Sequence, residues 1–300
     1  MAPVPFRFIL LGSLFSTLGI LPVAGTAAPS VAGSVQVEIY EDDIPRDGTW
    51  PLSPGTATER YSEDVFGLFE LPQKYVSTGV RADRAFPSLV RASAQVQLPP
   101  GKHRVLLRSR GPARLTIDGK QVLETPFDQP RIYTILRAVG GEVLFDEQDN
   151  YLNLGPNFRL APPGNRETWS VIEFSGAPAN VVLETLVGGL EPRSKTPFRP
   201  ELGETVVAVS LEGTELWSVL SPGPRTVVYT DTGWSAYEAE RRDRLATLNS
   251  AARAARRSAH ADYWNRRRDV AAEWLAATQA EPVPALPHGY PAHNAIDHFI

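Results

Sequence analysis

The chain has 300 residues, 42% of them hydrophobic and 21% charged, which is enough to bury one large core or two smaller ones. It contains no cysteine, which excludes disulfides, thiolate zinc sites, c-type haem attachment, cysteine catalysis and a lipid-modified cysteine within these residues. The net charge of −4 is too small to indicate nucleic acid as a partner.

The N-terminus has the pattern of a secretory signal peptide. Arg7 is the one basic residue before an apolar run that continues to Ala24, and small residues follow. Because export signals end in small residues, we predict a signal peptide over residues 1–28. An uncleaved anchor helix is the alternative, but Pro22 and the polar residues of this short run weigh against it. The mature chain is then periplasmic or extracellular, with no membrane segment.

Residues 33–230 show the pattern of an antiparallel β-sandwich. Short runs of alternating apolar and polar residues recur, and turns with Pro or Gly separate them. Asp118-Gly119 lies between two such runs and predicts a tight hairpin, because both turn residues accept positive φ. A polar, proline-containing stretch up to Gly79 predicts long loops, and residues 126–165 predict an insertion. The predicted strands are 35–40, 89–98, 103–109, 114–117, 121–123, 170–174, 180–186, 205–211, 216–220 and 226–229.

A helical segment rich in arginine and alanine is predicted over residues 235–280. The stretch has no Gly or Pro, and both of its commonest residues favour helices. Ser235 and Glu238 have the spacing of a capping box, which predicts that the helix starts there. Apolar residues at spacings of three and four, mostly Ala, predict a face that a partner can approach closely. The segment forms one helix of about 45 residues or a helical hairpin that turns within 257–263.

The charges of this helical segment indicate a solvent-facing surface. Nine arginines stand against six acidic residues and leave a local excess of three positive charges. A salt-bridged face explains this pattern better than an RNA-binding arm, so nucleic acid is not an expected partner. Trp264 and Trp274 are expected to dock the helix rather than to bind a ligand.

The last 20 residues contain a predicted linker and the predicted beginning of a further helix. Residues 281–293 are rich in proline and predict an extended, semi-rigid linker. Residues 294–300 combine Asn294, a good helix cap, with Ile296 and Phe299, as at the beginning of an amphipathic helix. We therefore expect 294–300 to open a further, truncated C-terminal domain, and that missing domain is an expected partner of the rest of the chain.

Two acidic clusters are candidates for calcium binding through their oxygen atoms. The first consists of Glu41, Asp42, Asp43 and Asp47. The second consists of Asp146, Glu147, Asp149 and Asn150. Neither has the D-x-D-x-D-G order of a dedicated calcium loop, and a solvated loop is the alternative for each. Apart from calcium at Asp42 and Asp43, no cofactor is expected in this region.

Aromatic residues in loop-like segments are the candidates for ligand contact. Trp50 and Tyr61 lie in the polar stretch before Gly79, where a ring can stack on the face of a sugar, and packing beneath a long loop is the alternative. No nucleophile elbow, zinc-protease helix or phosphate loop occurs, so no enzyme activity is assigned. The five-residue spacing of the last three histidines does not align them on a helix, and no metal site is expected there. These are His288, His293 and His298.

One hairpin motif resembles a known domain. Residues 91–125 contain a strand, the hairpin ARL-x-IDGK-x-V at 113–122 and a following turn, and residues 181–210 supply later strands. This combination resembles the protective-antigen-type β-sandwich, the PA-fourteen domain, over about residues 35–211. Some sandwiches of this type bind glycans through calcium held by two adjacent aspartates. Asp42-Asp43 are adjacent, but they follow the first strand, which is not the place of that motif.

The order of segments along the chain carries a wider resemblance. A signal peptide, this sandwich, an arginine-rich helix, a PVPALP linker and the stretch NAIDHFI are similar to the N-terminal part of large secreted proteins of planctomycete-type bacteria. In those proteins the last stretch opens a domain of unknown function, often accompanied by cytochrome-c-like modules. The resemblance supplies an architecture and no reaction.

The sequence thus predicts an exported, non-catalytic recognition module at the N-terminus of a larger protein. It is expected to bind carbohydrate or another cell-surface polymer through Trp50 and Tyr61. A purely structural or interaction module is one alternative. The other is a fragment of an exported redox or hydrolytic enzyme whose catalytic groups lie beyond residue 300.

Overall fold

The computed structural model describes residues 33–127, 158–189, 201–278, 284–285 and 294. The predicted signal peptide lies outside these residues, as do most of the predicted insertion, the linker and the predicted C-terminal start. The strands are β1 (Val35–Tyr40), β2 (Glu59–Glu63), β3 (Gly67–Leu68), β4 (Lys74–Tyr75), β5 (Arg81–Ala82), β6 (Ser88–Val96), β7 (Gly101–Ser109), β8 (Ala113–Ile117), β9 (Lys120–Thr125), β10 (Arg166–Phe174), β11 (Ala179–Val187), β12 (Thr205–Ser210) and β13 (Ser218–Val219). The helices are α1 (Asp231–Ala259) and α2 (Ala261–Ala277).

The strands form two antiparallel sheets that share one core. The larger sheet has the order β2-β1-β6-β11-β8-β9, and the smaller has the order β10-β7-β12-β13, with β3 paired to β12. The strands β4 and β5 make a separate small hairpin. The predicted fold class, a mainly β antiparallel sandwich followed by helix, is confirmed. The predicted Asp118-Gly119 hairpin joins β8 to β9, and both residues have positive φ, 47° and 78°.

Every second residue of the larger sheet faces the smaller one. Val37, Ala92, Leu183 and Leu115 stand opposite one another on four neighbouring strands, and each is at most 1% exposed. Burying a side chain such as Leu183 contributes about 1.5–3 kcal/mol. The same core contains, from the smaller sheet, Val105, Leu107, Val207 and Val209. Because side chains alternate along a strand, the residues between these lie on the outer faces.

Both outer faces are partly covered. On the smaller sheet, Trp234 and Tyr237 from the first turns of α1 pack with Tyr229 and Leu106 in a second buried cluster. On the larger sheet, the segment between β1 and β2 covers a third, smaller cluster. That third cluster contains Tyr40, Ile44, Ala57, Leu89 and Leu186, with Trp50 and Phe127 packed against it.

The structure corrects the predicted loops and one of the predicted strands. The stretch up to Gly79, predicted as long loops, contains β2, β3 and β4. The edge strand β2 has one large apolar residue, Tyr61, because only one of its faces meets the core, so it lacks a hydrophobic period. The predicted strand 226–229 is reduced to one bridge between Ser218 and Val228.

The predicted capping box is wrong, because α1 begins earlier. Thr230 is the N-cap, and its Oγ1 accepts a hydrogen bond from the Gly233 backbone N–H at 3.1 Å. Glu238 instead accepts a hydrogen bond from Trp234 Nε1 at 2.8 Å. Gly233 lies in the first turn of α1, and glycine disfavours a helix. Helix propensities therefore place the start of α1 after Gly233 and not at Thr230.

Replacing Thr230 with Ala is expected to lower the free energy of unfolding by about 1 kcal/mol, because the Gly233 N–H loses its partner. Ser235→Ala is the matched control and should change that energy by less than about 0.5 kcal/mol. Urea unfolding followed by circular dichroism measures both. A larger loss for Ser235→Ala than for Thr230→Ala would restore the predicted capping box.

The helical segment is broken once and does not turn back. His260, at φ −124° and ψ 37°, separates α1 from α2. The Arg257 guanidinium lies 5.1 Å from the Trp264 ring centroid, as expected for residues seven apart on one face. A helical hairpin needs a loop of about 2–5 residues, so this single-residue break is a bend. In the described part of the chain, neither helix is both long and apolar enough to cross a membrane.

One of the two predicted docking tryptophans does dock the helical segment. Trp264 donates from Nε1 to the Thr78 carbonyl oxygen at 2.6 Å, in the loop between β4 and β5. Asn249 accepts from the Gln73 backbone N–H at 2.7 Å and fastens α1 to the same region. Trp274 is 64% exposed, so its predicted docking is wrong within the described residues.

Candidate functional site

A row of charged side chains crosses all six strands of the larger sheet on its outer face. Neighbouring members stand directly opposite each other in the strand register and alternate in sign. Opposite charges at directly opposed positions stabilise a sheet by about 0.2–1 kcal/mol per pair. In spatial order, this charge row is Arg60, Glu38, Arg91, Glu184, Arg114 and Glu124.

The middle of the charge row is a two-sided ion pair. Glu184 is 5% exposed, and its Oε1 lies 2.7 Å from Arg91 Nη2 while its Oε2 lies 2.6 Å from Arg114 Nε. Burial alone would lower the pKa of Arg91, but the hydrogen bond and charge of Glu184 outweigh burial and raise it. Glu184 therefore holds both guanidinium groups in a fixed orientation.

The first part of the charge row is held by a carboxylate with two donors. Glu38 accepts from Arg60 Nε at 2.8 Å and from the Tyr40 hydroxyl at 2.7 Å. Burial tends to raise the pKa of Glu38, but these two hydrogen bonds favour the ionised form and lower it overall. Arg91 also donates to the Tyr40 hydroxyl at 3.2 Å, so the row is one connected network at this point.

The last part of the charge row meets Trp50. The Arg114 guanidinium lies 4.5 Å from the indole centroid, and Trp50 Nε1 donates to Glu124 Oε1 at 3.3 Å. Phe127 packs edge-on against the indole at 5.3 Å, and Gln121 Nε2 donates to Glu124 Oε2 at 2.7 Å. We call these five residues the Trp50 corner. Its indole is half-buried, and Gln121 and Glu124 are exposed.

The Trp50 corner combines one apolar plane with three kinds of polar group. A carboxylate accepts hydrogen bonds, a guanidinium donates them in a fixed fork, and an amide does both. An aromatic ring beside such groups offers contact to the apolar face of a ligand and hydrogen bonds to its rim. The corner is thus suited to a neutral, hydroxyl-rich ligand with one apolar face.

The structure does not bring the two predicted ligand residues together. Trp50 lies beside β8 and β9, whereas Tyr61 lies in β2 at the opposite edge of the larger sheet. Tyr61 stands opposite Val37 and packs against the core between the sheets. Among the described residues its hydroxyl is buried without a hydrogen-bond partner, and burial raises the pKa of Tyr61 well above the usual value.

The acidic residues after β1 have separate surroundings. Glu41 is buried and forms ion pairs with Lys74 and with Arg84, the latter at 2.9 Å. Asp42 and Asp43 are exposed, and Asp43 has a positive φ of 57°. Among residues 33–127, 158–189 and 201–278, no group of three or more His, Asp or Glu is placed to hold a metal ion. Calcium at Asp42 and Asp43 stays a prediction.

The other predicted clusters lie outside the described residues. They are Asp146, Glu147, Asp149 and Asn150, together with His288, His293 and His298.

Sequence reasoning missed the charge row. Most of its members stand in strands with apolar and polar alternation, which marks them as outward-facing, whereas Arg60 stands in β2, which lacks that alternation. Neighbouring members come from strands up to 93 positions away, as for Arg91 and Glu184, so only the strand order shows that the signs alternate.

Comparison with solved structures finds similar folds at low identity. The PA14 domain of the MpAFP antifreeze protein is 10% identical with a TM-score of 0.39, and the match covers 65% of this chain and 92% of that one. The PA14 sugar-binding domain from an RTX adhesin is 9% identical with a TM-score of 0.37, covering 64% and 97%.

A third similar structure, an anti-sigma factor domain-containing protein, is 11% identical with a TM-score of 0.36. The match covers 66% of this chain and 49% of that one, so this chain spans about half its length. No protein-family model and no curated protein matches the sequence. At these identities the likeness concerns the arrangement of strands.

Proposed function

We propose that the β-sandwich is a carbohydrate-binding module and that the Trp50 corner holds the sugar. The observation that carries this proposal is the indole of Trp50, half-buried and fixed between the Arg114 guanidinium and the Glu124 carboxylate. A pyranose has a C–H face that stacks on an aromatic plane, and its rim of hydroxyls accepts and donates hydrogen bonds.

The corner is also preorganised for such a ligand. Trp50 is held by a hydrogen bond, a guanidinium and a second ring before any sugar arrives. Arg114 is held in turn by Glu184, whose other oxygen is bound by Arg91. Binding therefore immobilises few additional side chains, which reduces its entropic cost.

The module acts outside the cytoplasm and carries no catalysis of its own in this proposal. The signal-peptide pattern of residues 1–28 supports export, and the linker pattern of 281–293 supports attachment to a further domain. The sandwich then brings that domain to a polysaccharide or a cell-surface glycan.

Trp50→Ala is expected to weaken binding to a neutral polysaccharide at least about tenfold, because it removes the stacking plane and a partner of Arg114. The purified chain is screened against immobilised neutral and acidic polysaccharides, and the binders are titrated by calorimetry. Trp169→Ala is the matched control, because Trp169 is 39% exposed on the smaller sheet and lies outside the corner.

The controls separate this site from the calcium prediction. Loss of binding with a chelator or with Asp42→Asn, but not with Trp50→Ala, would assign the sugar to Asp42 and Asp43 instead. Equal loss in Trp169→Ala and Trp50→Ala would point to a general loss of fold. Failure of the unaltered chain to bind across the panel would refute the module's proposed function.

A further inference from the structure

We propose that two copies of this chain associate through α2, with the two helices antiparallel. No residue of α2 is buried, and it displays three large apolar side chains near its C-terminus. These are Val270, Trp274 and Leu275, which are 65%, 64% and 64% exposed. Because an isolated helix of 17 residues is only marginally stable in water, an exposed face of this kind gains most from a partner.

The exposed face of α2 is shaped to receive a side chain from a neighbouring helix. At about 100° per residue, Tyr263, Val270 and Trp274 lie within a narrow arc of about 40°. A shallow, open depression of about 650 Å³ lies along this arc, and the small Ala271 lines it together with larger residues. A small residue between large ones forms the hole into which a neighbouring helix inserts a knob.

The charges on α2 fit a second copy of the same helix. Arg266 and Glu273 lie seven residues apart on one flank of the apolar arc, with opposite signs. In an antiparallel pair, each flank faces the same flank of the other copy. Arg266 then meets Glu273 of the second copy, and symmetry makes this ion pair twice. A parallel pair would instead place Arg267 beside Arg267 of the second copy.

The same alignment also matches the apolar residues. When Arg266 and Glu273 pair, Trp274 lies beside Tyr263 of the second copy. Val270 of one copy then lies against the aliphatic stem of Arg267 of the second copy, and the charged head of that arginine reaches solvent. The helices overlap over about 25 Å, which is a small interface below about 1,200 Å² and typical of reversible association. We therefore expect a dimer that forms at micromolar concentration.

Sedimentation equilibrium of the purified chain tests the association. The unaltered chain should change from its 32.9 kDa monomer to a dimer across the micromolar range. Glu273→Arg should weaken association at least about tenfold, because it sets two like charges together twice. Adding Arg266→Glu to it should restore association, because the two charges are exchanged.

Three results would overturn the proposal. They are a monomer at all concentrations, an unchanged dimer in Glu273→Arg, and a double variant that stays as weak as the single one. Both substituted residues are exposed, so the sandwich should keep its circular dichroism spectrum and melting temperature. These variants leave the Trp50 corner intact, so sugar binding and self-association can fail independently.

Orientation is measured with one spin label on each copy. The chain has no cysteine, so Thr278→Cys at the end of α2 provides a unique attachment point. In the antiparallel pair the two labels should lie about 30 Å apart, and in a parallel pair about 10 Å apart. Pulsed electron paramagnetic resonance distinguishes these distances, and the shorter one would refute the antiparallel arrangement.

Discussion

Arg108→Met is expected to lower the free energy of unfolding by about 3–5 kcal/mol, because it leaves the buried Glu167 carboxylate without its cation and leaves Glu204 with Arg159 alone. The Arg108 side chain is fully buried. Its Nη1 lies 2.5 Å from Glu204 Oε1, its Nε lies 2.6 Å from Glu167 Oε1, and its Nη2 lies 2.5 Å from the Arg159 carbonyl oxygen. The ring of Tyr229 covers the guanidinium at 4.8 Å.

Arg104→Met is the matched control for this substitution. Arg104 lies in the same strand β7 with its side chain 27% exposed, and it donates hydrogen bonds to Ser210, to the Thr214 carbonyl oxygen and to the exposed Glu215. Arg104→Met should lower the free energy of unfolding by less than about 1 kcal/mol, because solvent screens the ion pair between Arg104 and Glu215. Urea unfolding of both variants gives the comparison. Equal losses would mean that the burial of Arg108 does not decide its contribution.

The cost of Arg108→Met should also depend on pH. Burial raises the pKa of Glu167 above its ordinary value of 4.5, and Arg108 acts in the opposite direction. Without Arg108 the pKa rises further, so Glu167 holds its proton more firmly in the folded chain than in the unfolded one. Folded-state stability then increases as pH falls through that raised pKa. The variant's deficit should therefore shrink towards pH 4.5, and a constant deficit would contradict this account.

The parts of the fold that could be predicted are those with a local cause. Asp118-Gly119 fixes its hairpin because the turn needs a positive φ at two positions, and both of these residue types accept it. Thr230 was missed as a helix cap because Gly233 disfavours the helix that the Thr230 side chain begins. The strand β2 was missed because an edge strand with one buried face, at Tyr61, has no repeated apolar period.

The candidate site was predictable only in its aromatic residue. Trp50 can be singled out from the sequence because a tryptophan in a polar loop is expected either to contact a ligand or to pack beneath the loop. Its partners Arg114 and Glu124 lie 64 and 74 positions further along the chain, and only the pairing of β8 with β9 makes them neighbours. Alternation assigns most of these charges to an outer face, whereas strand order decides which charges meet. That order depends on the shared core and cannot be obtained from any one strand.

Arg241→Met is expected to cost about 3 kcal/mol and to loosen α1 from the sandwich, because it removes a fully buried cation. Arg241 Nη2 lies 2.8 Å from Glu63 Oε1 and 2.8 Å from the Glu70 carbonyl oxygen, and Phe69 covers the guanidinium at 4.6 Å. Burial raises the pKa of Glu63, and Arg241 acts in the opposite direction. The loss of unfolding free energy should stay near the lower end of the range of about 3–5 kcal/mol expected for a broken buried ion pair, because Arg244 still lies 3.0 Å from Glu63.

Hydrogen exchange shows whether the effect is local to α1. In Arg241→Met the backbone amides of α1 beyond Tyr237 should exchange faster, while those of β6 and β11 change less. Arg242→Met is the matched control, since Arg242 is the next residue and its side chain is 57% exposed. The double variant Glu63→Leu with Arg241→Met should recover most of the loss, because two apolar side chains can replace a buried ion pair at little cost. A double variant as unstable as Arg241→Met would show that Arg241 matters through its contacts with Phe69 and the Glu70 carbonyl, and not through its charge on Glu63.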